Sequence, residues 1–364
     1  MVSDLHLDPG GHDERRTAAA FTQFLAEVVA TPTPSGATLV LLGDTFEVCG
    51  LTGPGARLRL DDIAAAHPEV FAALRRCLAA GVRLDVVVGN HDVDLVRPAA
   101  AQRLGELLGD LGERLRLHPW ALHVPGVLFA EHGHQHHAVH RLPTLLLAAA
   151  DDHTPLAPSP LTVWAARQGG PLGAVVAVGS ALASARAAEC RAGGRAYRRL
   201  VGAEAARQGL RPEAARALWR ASRFRLVPTV AGTGGRVLRR RIDAIAPRTA
   251  RRGRAPHVAA AGPPSFAAEV AATLTAHGTP VAWYVCGHTH RAAAAPIAGT
   301  ATRWANTGTW CSDIRGAGPD LDDPRLFPFL EIDAAGDGSV QGRLSYWRVP
   351  LASPTRHTRE RLSG

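Results

Sequence analysis

The sequence predicts an α/β fold built around a largely parallel sheet, and three observations carry that reading. Short apolar runs rich in valine and leucine alternate with helical stretches, the pattern of βαβ units whose strands are buried on both faces. The strongest runs end in small polar clusters, where parallel sheets gather their functional groups. The rhythm breaks once, over residues 138–262, and then resumes.

Met1–Ser3 reads as the end of a strand. "DERRTAAAFTQFLAEVVA" (13–30) is a helix, acidic at its start as the helix dipole favours. "ATLVLLGD" (37–44) is a buried strand, 68–80 a helix and "VRLDVVVGN" (82–90) a second buried strand. "RLRLHP", "WALHVP" and "VLFAEHGH" (114–134) read as successive shorter strands. The interruption is rich in Ala, Arg, Gly and Pro, with helical patches near 174–190, 198–208 and 212–222. The α/β pattern returns with a helix over 266–277, a strand in "PVAWYVCGHTH" (280–290) and strand-like pieces at 302–306, 326–333 and 340–348. This divides the chain into a core in two parts (1–137 and 263–350), a mainly helical, Arg-rich cap insertion (138–262) and a polar tail (351–364).

Composition sets the class. At 46% hydrophobic and 20% charged residues the chain is globular, not disordered. Its formal charge of +9 comes entirely from arginine, since the sequence contains no lysine. Such a surface favours anionic partners. The five cysteines (Cys49, Cys77, Cys190, Cys286, Cys311) show no paired spacing, which points to a reducing, cytoplasmic setting. The N-terminus lacks the basic and apolar regions of a signal peptide. The uncharged run Gly169 to Ala185 is glycine-rich and short for a membrane span.

Five polar clusters carry the chemistry: Asp4 and His6 in "SDLHLD", Asp44 and Glu47 in "GDTFEV", Asn90 and His91 in "GNHD", His132 and His134 in "EHGH", and His288 and His290 in "GHTH". Alternate residues of an extended segment point the same way, so Asp4/His6 and His288/His290 can each offer two ligands. Carboxylates, imidazoles and one amide oxygen, without thiolates, suit Mn²⁺, Fe²⁺ or Zn²⁺. The set is too large for one ion. Two ions ~3.5–4 Å apart with a bridging carboxylate would use it. A lone D-x-H or H-x-H is usually unremarkable; five such clusters in this order are not. His136, His137 and His140 read as exposed and non-ligating.

The series D-x-H, G-D, G-N-H-D, H-G-H and G-H-T-H resembles the calcineurin-like metallophosphoesterases, over roughly residues 1–137 and 263–350. "SDLHLD", the Phe-Glu after "GDT", "GHTHR" and "NTGTW" (306–310) look most like the branch containing the UDP-2,3-diacylglucosamine pyrophosphohydrolases, although that branch often carries arginine where this chain has His91. The resemblance implies a four-layer α/β/β/α sandwich. It implies two divalent ions, Mn²⁺ foremost, one held by Asp4, His6 and His290 and the other by Asn90, His132 and His288, with Asp44 bridging. His91 would be the non-ligand histidine beside the scissile bond.

The chemistry is coherent apart from the resemblance. Two cations neutralise phosphoryl charge and lower the pKa of a bound water from about 15.7 toward 7, giving a hydroxide that attacks phosphorus. His91 as imidazolium would assist the leaving group, a contribution of roughly 10²–10⁴ in rate. Glu47 could orient His91 or simply lie at the surface. Arg291, next to His290, could clamp a phosphate oxygen. Asp92 reads as a turn-fixing residue. The expected activity is hydrolysis of a phosphomonoester, phosphodiester or pyrophosphate.

Rival readings are a non-catalytic metal-binding scaffold, a nuclease and a membrane-associated pyrophosphohydrolase acting on a lipid-linked or nucleotide-sugar substrate. The basic cluster at Arg236, Arg239, Arg240, Arg241, Arg248, Arg251, Arg252 and Arg254 has no aromatic residues among it for base stacking, which disfavours nucleic acid. Beside the apolar run at 172–182 it suits an anionic membrane surface, against the simpler alternative of a solvated helical face.

Overall fold

A computed structural model describes residues 1–10, 12–31, 36–109, 114–137, 140–142, 145–153, 156, 195–223, 262–311 and 326–349. The expected helix at 174–190, the apolar run at 172–182, the arginine cluster at 236–254, Cys190 and the tail at 351–364 lie outside these residues. The protein is mixed α/β, and among the described residues no helix is long and apolar enough to cross a membrane. Cys49, Cys77 and Cys286 form no disulfide.

The elements follow from local sequence. Helix α1 (His12–Ala30) buries Ala18, Phe21 and Leu25, one stripe at helical spacing. After β1 (Thr38–Leu42) come α2 (Gly53–Ala66) and α3 (Pro68–Ala79), each with proline in its first turn, where the missing N–H costs nothing. Strand β2 (Arg83–Val87) is followed by a 3₁₀ turn (Val93–Val96) and α4 (Pro98–Leu108), which ends on left-handed Gly109. Strands β3 (Leu115–His118), β4 (Ala121–Val124) and β5 (Gly126–Glu131) come next. A second 3₁₀ turn (His134–His136) precedes α5 (Leu145–Ala148), α6 (Arg195–Arg207) and α7 (Pro212–Arg223). Helix α8 (Ser265–Ala276), β6 (Val281–Cys286), β7 (Ala293–Pro296), β8 (Arg303–Asn306), β9 (Leu326–Ala334) and β10 (Val340–Arg348) complete the chain. Helices α2 and α4 and strand β7 had no clear signal: α2 opens Gly-Pro-Gly and β7 is Ala-Ala-Ala-Pro.

The strands β1, β2 and β3 run parallel in that order. A second sheet has the order β4-β5-β6-β8-β7, with β5, β6 and β8 parallel and the two edges antiparallel. Strands β9 and β10 form an antiparallel pair. Residues 1 and 2 tie this pair to β1, because Leu330 N–H donates to Met1 O at 2.9 Å and Leu42 N–H donates to Val2 O at 2.7 Å.

Alternation within the strands sends side chains to two apolar regions. Val40, Leu42 and Val87 from the first sheet cluster with Leu128, Ala130, Trp283, Val285 and Ala305 from the second. Leu39, Leu41, Leu84 and Val86 join the helices in a larger core. The described part of 138–262 also belongs to that core: Leu210, Ala215, Leu218 and Trp219 are buried in it, and the Trp219 and Trp120 rings meet edge to face at 5.2 Å. Helices α6 and α7 therefore pack into that core through Val201, Ala205, Leu210, Ala215, Leu218 and Trp219.

Candidate metal centre

Parallel strands deliver the polar clusters to one end of the sheets. Asp44 follows β1, Asn90 and His91 follow β2, His132 follows β5 and His288 follows β6, each within four residues of a strand's carboxyl end. Asp4 follows the bridge of Val2 to Leu41 of β1.

Backbone conformation marks the same residues. Among the described residues, the non-glycine positions with left-handed φ are Asp4 (54°), His6 (52°), Asp44 (51°), His288 (68°) and His290 (60°). Left-handed backbone is costly for residues with a Cβ and persists only where the surroundings over-determine it. Asp4, His6, His288 and His290 therefore lie in left-handed backbone, not in the straight extended segments that the D-x-H and G-H-T-H spacing suggests.

The strain is held by neighbouring loops. "NTGTW" clasps the first cluster: Asp4 O accepts Thr309 Oγ1–H at 2.8 Å and Trp310 N–H at 3.1 Å, and Ser3 Oγ lies 2.6 Å from Thr307 Oγ1. Asn306 Nδ2 donates to Gly287 O at 2.6 Å. Asp92 fastens the loops after β1 and β2 together, accepting from Gly89 N–H at 2.6 Å and Thr45 N–H at 2.8 Å. Two glycines are required for the close approach. A Cβ on Gly89 would strike Asp44 Oδ1, and one on Gly287 would lie 2.7 Å from Asp4 Oδ2.

At the centre, Asp4 and Asp44 are fully buried carboxylates. Asp4 Oδ1 lies 3.1 Å from His290 Nε2, 3.9 Å from His132 Nε2 and 4.0 Å from His6 Nε2. Asp44 Oδ2 lies 3.1 Å from His132 Nε2, and Asp44 Oδ1 accepts the His91 N–H at 2.9 Å. Asp4, His6 and His290 can offer their ligand atoms to one ion, and Asp44, His132 and His288 to another.

The orphaned atoms decide whether divalent ions fit. Asp4 Oδ1, His6 Nε2, Asn90 Oδ1 and His132 Nε2 are buried without a hydrogen-bond partner. An unpaired buried polar atom costs about 1–3 kcal/mol, so Asp4 Oδ1, His6 Nε2 and His132 Nε2, which lie close together, call for a common partner. His6 Nδ1 is 2.7 Å from Glu47 Oε1 and His132 Nδ1 is 2.9 Å from Leu42 O. Each imidazole thus uses one nitrogen on a carboxylate or carbonyl and presents the other inward, the outer-shell arrangement that orients metal-ligating histidines. The residues fit a pair of divalent cations.

Electrostatics agrees with a site that wants positive charge. Burial opposes ionisation of Asp44, yet the neighbouring His132, His91 and His6 hold its carboxyl well below the usual range. Burial likewise works against charged His132, but Asp44 and Asp4 raise it to about 10. A proton and a metal ion compete for that lone pair. Burial and charged His132 push His134 and His288 well below the ordinary histidine value.

Glu47 sits beside the centre, with Oε1 on His6 and Oε2 2.9 Å from His91 Nδ1. Burial resists its ionisation, but its two histidine partners lower it to about 2. His91 is raised to about 9 against the opposing effect of burial, through Glu47 and Asp44. Arg291 is exposed. A cleft of about 430 Å³ opens on the Glu47 side, lined by Leu51, Leu58, Arg59 and Asp62.

The remaining histidines of "EHGHQHHAVH" divide. His136 is buried, not exposed: it lies 2.8 Å from Glu131 Oε1, and its ring stacks on Phe266 at 4.2 Å. Glu131 also accepts from Tyr284 OH and Trp120 Nε1, which makes it a structural carboxylate. His137 and His140 turn back to His288, with ring centroids 4.9 and 4.7 Å from it. Sequence spacing gave no sign of that contact, which depends on where β6 lies. No protein-family model matches the chain, and no curated protein is significantly similar to it.

Proposed function

We propose that this protein is a di-metal phosphoesterase of the calcineurin-like kind, hydrolysing a phosphomonoester, phosphodiester or pyrophosphate. The observation that carries the reading is the convergence on Asp4 Oδ1 of His6 Nε2 at 4.0 Å and His132 Nε2 at 3.9 Å, three buried atoms without hydrogen-bond partners. Asp4, His6 and His290 would hold one ion and Asn90, His132 and His288 the other, with Asp44 shared. Bound there, two such ions neutralise phosphoryl charge and lower the pKa of a water molecule. Mn²⁺, Fe²⁺ and Zn²⁺ all suit this oxygen and nitrogen set.

The protein's own residues supply the rest. His91 lies at the edge of the cluster with its side chain 41% exposed and its Nδ1 on Glu47, leaving Nε2 to give a proton to a departing oxygen. Glu47 positions His91 and His6 together and stabilises the imidazolium. Arg291 is placed to meet an anionic substrate from solvent. Asp92 holds the two loops in register and has no role toward substrate.

The same reading takes the fold as a four-layer α/β/β/α sandwich. Its support is the apolar cluster shared by the two sheets and the helices packed on Leu39, Leu41, Leu84 and Val86. The deciding assay is hydrolysis of p-nitrophenyl phosphate, its bis ester and a nucleotide-sugar panel by purified Mn²⁺-loaded protein. Turnover abolished by chelator and by Asp44→Asn is expected. A metal-loaded protein inert on every substrate favours a non-catalytic scaffold.

A further inference from the structure

We propose that His137, His140 and His288 form an additional cation site at the rim of the buried centre, distinct in chemistry from the pair within. One ring nitrogen of each lies within 4.8 Å of the other two. His288 Nε2 is already 3.2 Å from His137 Nδ1. A zinc ion bound at about 2.0–2.1 Å to each nitrogen in tetrahedral geometry holds its ligands roughly 3.4 Å apart. Side-chain adjustments of an ångström or so therefore close the trio.

Backbone geometry sets up two of the three ligands. His137 N–H donates to His134 O, and His140 N–H donates to His137 O at 3.1 Å. The His137 and His140 rings lie 5.7 Å apart, at 4.9 and 4.7 Å from the His288 ring. His288 is fixed independently, since its N–H donates to Asp4 Oδ2 at 3.1 Å. Two unrelated segments, after β5 and after β6, thus bring their imidazoles together.

His288 belongs to both sets and would turn one ring nitrogen to the inner centre and the other to this trio; the remaining ligands separate the two sites. The trio has three imidazoles and no carboxylate, so it selects Zn²⁺, Ni²⁺ or Cu²⁺ over Mn²⁺ and Mg²⁺. The buried centre, with Asp4, Asp44 and Asn90, accepts the harder ions as well. His137 is exposed, and His140 and His288 are half-buried.

The test counts ions and does not depend on phosphoester hydrolysis. The full chain and His137→Gln/His140→Gln protein are dialysed against Zn²⁺ alone or Mn²⁺ alone and analysed for metal. One fewer Zn²⁺ per chain in the variant, with Mn²⁺ content unchanged, is expected. Equal Zn²⁺ contents overturn the site. The comparison is repeated in an Asp4→Asn/Asp44→Asn background, where the inner centre is disabled and Zn²⁺ attributable to His137 and His140 should persist. If the histidine changes remove no Zn²⁺ there either, the trio is not a metal site.

Discussion

Glu47 reaches two histidines at once: its Oε2 lies 2.9 Å from His91 Nδ1, while its Oε1 lies 2.7 Å from His6 Nδ1. One carboxylate therefore couples an inward-facing imidazole to one at the open edge. The pair gives a pH signature. The folded His91 value of about 9 is above its ordinary 6.5, so its contribution to stability is complete below 6.5 and lost as pH rises through 9. Glu47, lowered to about 2 from 4.5, contributes fully above 4.5 and loses that contribution as pH falls toward 2. In chelator-treated protein the stability advantage of the parent over Glu47→Gln should peak between pH 4.5 and 6.5. Urea unfolding across pH checks this, and a flat difference would refute the coupling.

Metal content tests the centre itself. Purified protein should carry two transition-metal ions in the inner centre. Asp44→Asn should lose more metal than any other single ligand change, because the proposed centre shares Asp44 between both ions. Elemental analysis of His137→Gln/His140→Gln protein, in which only the inner centre remains, reads this number directly. One ion or fewer there would remove the two-ion model.

His91 separates binding from chemistry. His91→Ala should keep its metal and lower kcat by roughly 10²–10⁴. The loss should shrink for nitrophenolate esters, whose leaving group needs little protonation. A rate loss equal for good and poor leaving groups would argue against proton donation. Loss of metal would make His91 a ligand.

Gly89→Ala is predicted to damage the centre more than the fold. The added Cβ meets Asp44 Oδ1 and lies 2.8 Å from His132 Cδ2. Overpacking of this kind costs about 1–3 kcal/mol. A marked loss of metal with only a moderate fall in Tm is expected, read by metal analysis and thermal denaturation.

Trp219→Ala examines whether residues 195–223 belong to the core. Removing a buried tryptophan costs about 3–5 kcal/mol. A fall of that size in global stability is expected, as one cooperative transition. A separate early transition would mark an autonomous cap.

The sequence by itself determined the α/β class, because buried valine and leucine runs can satisfy their backbone only in a sheet covered on both faces. It also pointed to Asp4, His6, Asp44, Glu47, His91, His132, His288 and His290, residues of short polar clusters that the fold brings into groups able to hold a metal ion. Tertiary structure alone decided how those residues are presented. The left-handed backbone at Asp4, His6, Asp44, His288 and His290 is uphill locally and is held by contacts from distant segments, such as Thr309 and Trp310 on Asp4 O. It also decided which histidines count. His136 was taken inward by Glu131 and Phe266, while His137 and His140 met His288, some 150 residues further along the chain and beside them in space only because β5 and β6 are paired.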